Sequence, residues 1–92
     1  MERGEASRRF ADALGRCVET AERCGVTIGI EPEPGLFIES SAEYAAFKQE
    51  HFAGVDAVKM NCDIGHLFCV GDDPAEVIRT MAAEIAHVHL ED

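Results

Sequence analysis

Apolar residues recur along this chain with two alternating periods. From Glu5 to Cys24, the residues Phe10, Leu14, Cys17, Val18, Ala21 and Cys24 keep the spacing of one face of an α-helix. Arg8, Arg9, Asp12, Arg16, Glu19 and Glu22 fall mostly on the other side, and Gly25 stands where helices often stop. The period then shortens to two, which predicts a strand from Val26 to Glu31. Pro32, Pro34 and Gly35 end it. The spacing Ser40-x-x-Glu43 predicts a capped second helix that turns Tyr44, Phe47 and Phe52 inward. A second strand is expected over about Val55 to Asp63, then a loop through Gly71. Asp73 and Pro74 open a third helix as N-cap and first turn, with Glu76 closing the box and Val77, Ile78, Met81 and Ile85 as its stripe. The last stretch, AHVHLED, reads as a third strand. The order is α-β-α-β-α-β, and strands separated by single helices run parallel with right-handed crossovers.

Side-chain parity within the strands carries more information than their positions. Val26, Ile28 and Ile30 share one face of the first strand, opposite Thr27, Gly29 and Glu31. Val58, Met60 and Cys62 oppose Lys59, Asn61 and Asp63, and Val88 and Leu90 oppose His87, His89 and Glu91. Each strand therefore has one apolar face for helices and one small or polar face. An open parallel sheet with helices on both sides is apolar on both. One-sided covering with a polar interior predicts α/β architecture as a partial (β/α)8 barrel, where active sites lie at the C-terminal ends of the strands. Glu31, Asp63 and His89 fall at those ends. Two carboxylates buried together need compensation, which a divalent cation would supply; the alternative is that these are ordinary solvated strand ends that need no ligand. The mixed oxygen and nitrogen donors suit Mn²⁺, Zn²⁺, Co²⁺ or Fe²⁺ better than Ca²⁺.

Composition narrows the partners. Ninety-two residues make one small domain at most, and the apolar runs are too short to span a bilayer. The charged start MERGEASRRF predicts no secretory leader and a cytoplasmic setting. A formal net charge of −10 disfavours a nucleic-acid partner, which asks for a basic face. Cys17 and Cys24 are seven residues apart, as are Cys62 and Cys69. On one helix that interval is about 10 Å along the axis, whereas zinc thiolates sit about 2.3 Å from the metal. The cysteines are therefore expected to be small buried hydrophobes in a reducing compartment. His51 is expected at the surface, and His87 beside Asn61, one layer deeper than His89.

Three blocks, TIGIEPEPG (27–35), CDIGHLFCVGDDP (62–74) and HVHLED (87–92), give the chain a likeness to a known family. In this order and spacing they resemble the xylose isomerase-like barrel family of sugar isomerases, ketose 3-epimerases, sugar phosphate isomerase/epimerases and endonuclease IV-type enzymes. The D-x-G-H of the middle block is the most specific. The resemblance implies a divalent metal ion (Mn²⁺, Zn²⁺, Co²⁺ or Mg²⁺) held by Glu31, Asp63 and His89. It implies catalytic acid/base work for Glu31. His66 would contact substrate, or a second metal in the endonuclease branch, and Glu33 is a looser match to a substrate contact.

Family members are eight-stranded barrels of about 250 residues. Residues 1–92 are therefore expected to be a piece of one such domain, corresponding to strands five to seven with their preceding helices. The implied activity is isomerisation or epimerisation of a sugar or sugar phosphate through an enediolate at a hydroxy-carbonyl. The alternatives are an endonuclease IV-like metal-dependent phosphodiesterase and a non-catalytic remnant. The family's last-strand glutamate ligand is missing, so the chain is expected to be inactive alone. Its open sheet edges are expected to favour self-association. Glu91 and Asp92 are expected in a solvated loop.

Overall fold

The computed structural model describes residues 2–90. Glu91 and Asp92, the last residues of the third block, lie outside the described residues. Helix α1 spans Arg3–Cys24 and ends at Gly25, whose φ of 71° is left-handed. The N–H of Val26 then reaches back to the carbonyl of Ala21 at 3.0 Å, closing the helix end. Strand β1 (Ile28–Ile30) is shorter than expected. Helix α2 (Ser41–His51) starts where the capping signal places it, with Ser40 accepting from the Glu43 N–H at 3.1 Å. The Glu43 carboxylate accepts from the Glu39 N–H, one residue before the cap. Strand β2 (Val58–Asp63) also begins later than the sequence indicates. Helix α4 (Pro74–Met81) is capped by Asp73 as expected. The Glu76 side chain binds Arg79, so the box is left half made. A 3₁₀ turn over Ala82–Glu84 leads into strand β3 (Ile85–His89).

One element departs from the expected order. Residues 64–69 form a short helix, α3 (Ile64–Cys69), where a loop was expected. Asp63 caps it, its Oδ1 accepting from the His66 N–H at 3.0 Å, so β2 passes into α3 with no linker.

The three strands pair in parallel in the order β1-β2-β3 and form an open sheet, a sector of a barrel rather than a closed one. The pairing of β2 with β3 shifts between Met60 and Asn61. Met60 faces Ile85, but Asn61 faces His87, so Ala86 is the additional residue of a bulge. Ile85 stays against the core. Beyond the bulge, His87 and His89 share the polar face with Asn61 and Asp63.

The core lies between the apolar strand faces and the helices. Val58, Met60, Cys62, Tyr44 and Leu67 are fully buried in it, with Leu14, Val18, Ile30, Phe47 and Val77 around them. Phe10, Cys17 and Cys24, which the helical period puts on the buried face of α1, are exposed. Cys17 and Cys24 lie along a groove of about 580 Å³ beside the edge of β1, formed with Val26 and Ile28 among others. Cys69 is exposed too, so only Cys62 fits the expectation of buried cysteines. Ile78 is partly exposed beside the buried Val77. His51 is not a surface residue: its ring lies 4.9 Å from that of Phe47, and its Nε2 is 2.8 Å from the Ser7 hydroxyl. Among the described residues, no helix is long and apolar enough to cross a membrane.

A buried polar cluster ties the N-terminal ends of the strands to α2. The Lys48 ammonium donates to the Val58 carbonyl at 2.6 Å and to Glu84, and the Tyr44 hydroxyl donates to the same Glu84 oxygen at 2.7 Å. Burial pushes the Tyr44 phenol far above its usual value, with the Glu84 bond and charge adding to this, so Tyr44 remains a donor. Burial also raises the Glu84 carboxyl. Hydrogen bonds from Lys48 and Tyr44, with the charges of Lys48 and Lys59, outweigh it and leave Glu84 lowered overall.

Leu67, fully buried under the short helix, tests how much α3 belongs to the core. Leu67→Ala is expected to cost about 2–5 kcal/mol in urea denaturation followed by circular dichroism; a loss under about 1 kcal/mol would place α3 outside the cooperative unit. Glu84 has a lowered folded value, so its contribution is complete above the unfolded value of about 4.3 and is lost as pH falls through the folded one. Glu84→Gln should lower the melting temperature at neutral pH and flatten its decline below about pH 4.3. An equally steep acid decline in the variant would count against this account.

Candidate metal centre

The C-terminal ends of the strands gather the chemistry. Glu31 follows the last residue of β1, half-buried, and the fully buried Pro32 fixes the chain behind it. The loop then folds back on itself. The N–H of Glu33 donates to the Ile38 carbonyl at 3.0 Å, that of Leu36 to the Glu33 carbonyl at 3.1 Å, and that of Gly35 to the Glu39 carboxylate at 2.8 Å. Gly35 has a φ of 87°, which disfavours other residues. This closed turn returns Glu33 to the side of Glu31.

Asp63 ends the central strand with no exposed surface. Its two oxygens have separate tasks. Oδ1 caps α3, and Oδ2 lies 3.0 Å from Nδ1 of His89, the residue paired with it across the sheet. The first turn of α3 turns His66 back over the strand ends. Its Nδ1 is 3.6 Å from Glu31 Oε2 and 3.7 Å from Asp63 Oδ2. On the polar face, Asn61 donates its amide to Glu31 Oε1 at 2.9 Å, in place of the expected contact with His87. His87 lies opposite Asn61 in the register and is exposed.

Two groups of side chains here have the geometry to hold a metal ion. In each, the possible ligand atoms lie within 4.8 Å of one another: Glu31, Asp63 and His89 in one, and Glu31, Glu33 and His66 in the other. Glu31 belongs to both. The donors are carboxylate oxygens and imidazole nitrogens, a set that fits a divalent first-row ion. The buried Asp63, fixed by capping α3, offers a preformed oxygen to such an ion, while the half-exposed His89 leaves the centre open on one side. The nearest thiol is not suited to join. Burial raises the Cys62 value, the Asp63 charge adds to this, and its strand parity turns it to the helix side.

All five residues singled out in the sequence are thus in one place. The sequence reading did not anticipate that Asp63 is also a helix cap, which is what swings His66 into the group. An Asp three residues before His, at the head of the apolar run Ile64–Leu67–Phe68, was the available signal.

Comparison with known proteins agrees with this arrangement at the level of fold. The chain superimposes on the crystal structure of 3-keto-D-glucoside 4-epimerase, YcjR, from E. coli in its apo form, with a TM-score of 0.90 and 20% identity. The match covers all of this chain and 35% of the epimerase, so the chain spans about a third of that protein's length. No curated protein matches it significantly. The sequence pattern of one family, described as xylose isomerase-like TIM barrel, matches residues 1–92 from end to end. The chain belongs to the xylose isomerase-like TIM barrel family.

Proposed function

We propose that this chain forms part of the metal-binding end of a divalent-metal-dependent isomerase or epimerase acting on a sugar or sugar phosphate. The observation that carries this reading is the meeting of Glu31, Asp63 and His89, from three adjacent strand ends, within 4.8 Å. The similar E. coli enzyme supports the substrate class, since its name describes a keto sugar epimerised at the carbon beside the carbonyl. The covered share of that enzyme supports an assignment to about three of the eight units, which we take to be strands five to seven. Four free cysteines support a reducing, cytoplasmic setting. The charge of −10 favours a small polar substrate over nucleic acid. Edges of β1 and β3 that are unpaired among the described residues support association of the isolated chain.

Asp63 and His89 would hold the ion, and Glu31 would complete the set. A divalent cation held there would supply Lewis-acid stabilisation of the negative charge that develops on substrate oxygen when the C–H proton beside a carbonyl departs. Glu31 receives that proton or returns it, because a carboxylate at hydrogen-bond distance is a competent acid/base group. His66 donates to a substrate oxygen from the first turn of α3, and Glu33 accepts from a substrate hydroxyl at the rim. Mn²⁺, Zn²⁺, Co²⁺ and Mg²⁺ all match the donor set in charge and size.

Isothermal titration of this chain with Mn²⁺ tests the reading. The wild type is expected to bind one ion, and His89→Ala to weaken binding at least about tenfold without loss of the circular dichroism spectrum. Equal affinity for wild type and variant would defeat it. In the complete barrel, a metal-dependent exchange of the proton beside a ketose carbonyl with solvent deuterium is expected; exchange that is unchanged by chelation of the metal would argue against the enediolate route.

A further inference from the structure

Asn61 occupies an uncomfortable place. It projects from the middle of β2 onto the polar face, and its Nδ2 donates to Glu31 Oε1 at 2.9 Å. Because a carboxylate only accepts, the amide must present its NH₂ end to Glu31, which fixes its orientation. Its Oδ1 is then buried, and no donor meets it among the described residues. A buried acceptor left unmet lowers stability, whereas an apolar side chain of the same shape would not. The strand has apolar residues of suitable size on its other face. The protein contact that accounts for an amide at this position is the bond to Glu31.

The neighbouring strand makes room for this contact. Gly29 shares the polar face of β1 with Glu31, and a Cβ built on it would lie 3.4 Å from the Asn61 Cβ, tighter than most such contacts. The missing side chain lets Asn61 lean across β1 toward the carboxylate. With Oε1 held by the amide, Glu31 turns Oε2 toward the centre, 3.6 Å from His66 Nδ1.

We infer that Asn61 is a positioning residue, which fixes the rotation of the Glu31 carboxylate so that one oxygen is committed to the amide and the other to the bound ion and substrate. This rests on the metal reading above. Hydrogen-bond partners of ligating carboxylates tune affinity by roughly 10–100-fold, and Asn61 acts through Glu31 without touching the ion.

Asn61→Leu, close to the natural shape, separates this from a structural role. Its melting temperature is expected to equal or exceed the wild-type value, while its Mn²⁺ dissociation constant rises about tenfold. In a Glu31→Ala background the same change is expected to have no further effect on Mn²⁺ affinity, since the residue it serves is gone. Unaltered Mn²⁺ affinity in Asn61→Leu, or an equal loss in the Glu31→Ala background, would overturn the inference while leaving the metal reading in place. A wild-type chain that binds no Mn²⁺ would instead remove the metal reading. A measurement without metal covers that case. The side-chain amide order parameter of Asn61, from ¹⁵N relaxation, is expected to be high in the wild type and to fall in Glu31→Ala, and equal values would overturn the inference.

Discussion

Asp63 is the constraint on which the rest of this site depends. A carboxylate with no exposed surface is costly to keep ionised unless donors surround it. The fold supplies them from two directions. The helix that starts at Ile64 offers the His66 N–H to one oxygen, and the adjacent strand brings a His89 nitrogen to the other. Each arrangement fixes one neighbouring histidine. The cap determines where α3 begins and hence where His66 projects, and the pairing of β2 with β3 sets His89 directly opposite. One buried acid at the end of the central strand thus organises both imidazoles.

The opposite end of the sheet is held by different means. There Lys48, Tyr44 and Glu84 close a buried cluster against the Val58 carbonyl, linking α2, the start of β2 and the turn before β3. Breaking a buried pair of this kind is costly because it strands the remaining charge. Barrels commonly divide their labour this way, with stabilising contacts at the N-terminal face and chemistry at the other. Here the division runs along each strand. Val58 and Glu84 serve the lower end, while Asp63 and His89, a few residues further on, serve the upper. Changes at the lower cluster can therefore alter stability while the geometry above is kept by its own bonds.

Much of this could be read from the residues. Helix starts at Ser40 and Asp73 were legible because a cap is a local signal, written within four residues. The polar face of the strands was legible because it follows from alternation alone. Other features were hidden for particular reasons. The short α3 escaped because a six-residue helix has too few turns for a period to show, and Gly65 within it argues against one. The exposure of Cys17 and Cys24 could not be inferred, because the helical period marks an apolar face without stating that the sheet covers only part of it. The Lys48–Glu84 contact joins residues thirty-six apart, and no local pattern announces it. In the site, Glu31, Asp63 and His89 were visible as strand ends. The part played by Asn61 depends on a contact between strands, and only the fold reveals which of its possible partners it chooses.

The bulge at Ala86 has a genetic corollary. Strict alternation from Ile85 would carry His87 and His89 to the helix side of the sheet; one supernumerary residue reverses the phase and delivers both to the interior. The loss of the Ala86 codon would set His87 directly after Ile85, and plain alternation would then keep both imidazoles on the polar face, opposite Asn61 and Asp63. The extra triplet is thus absorbed by a local kink, and Ile85 in the core and His89 at the ligand position keep their places on either side of it.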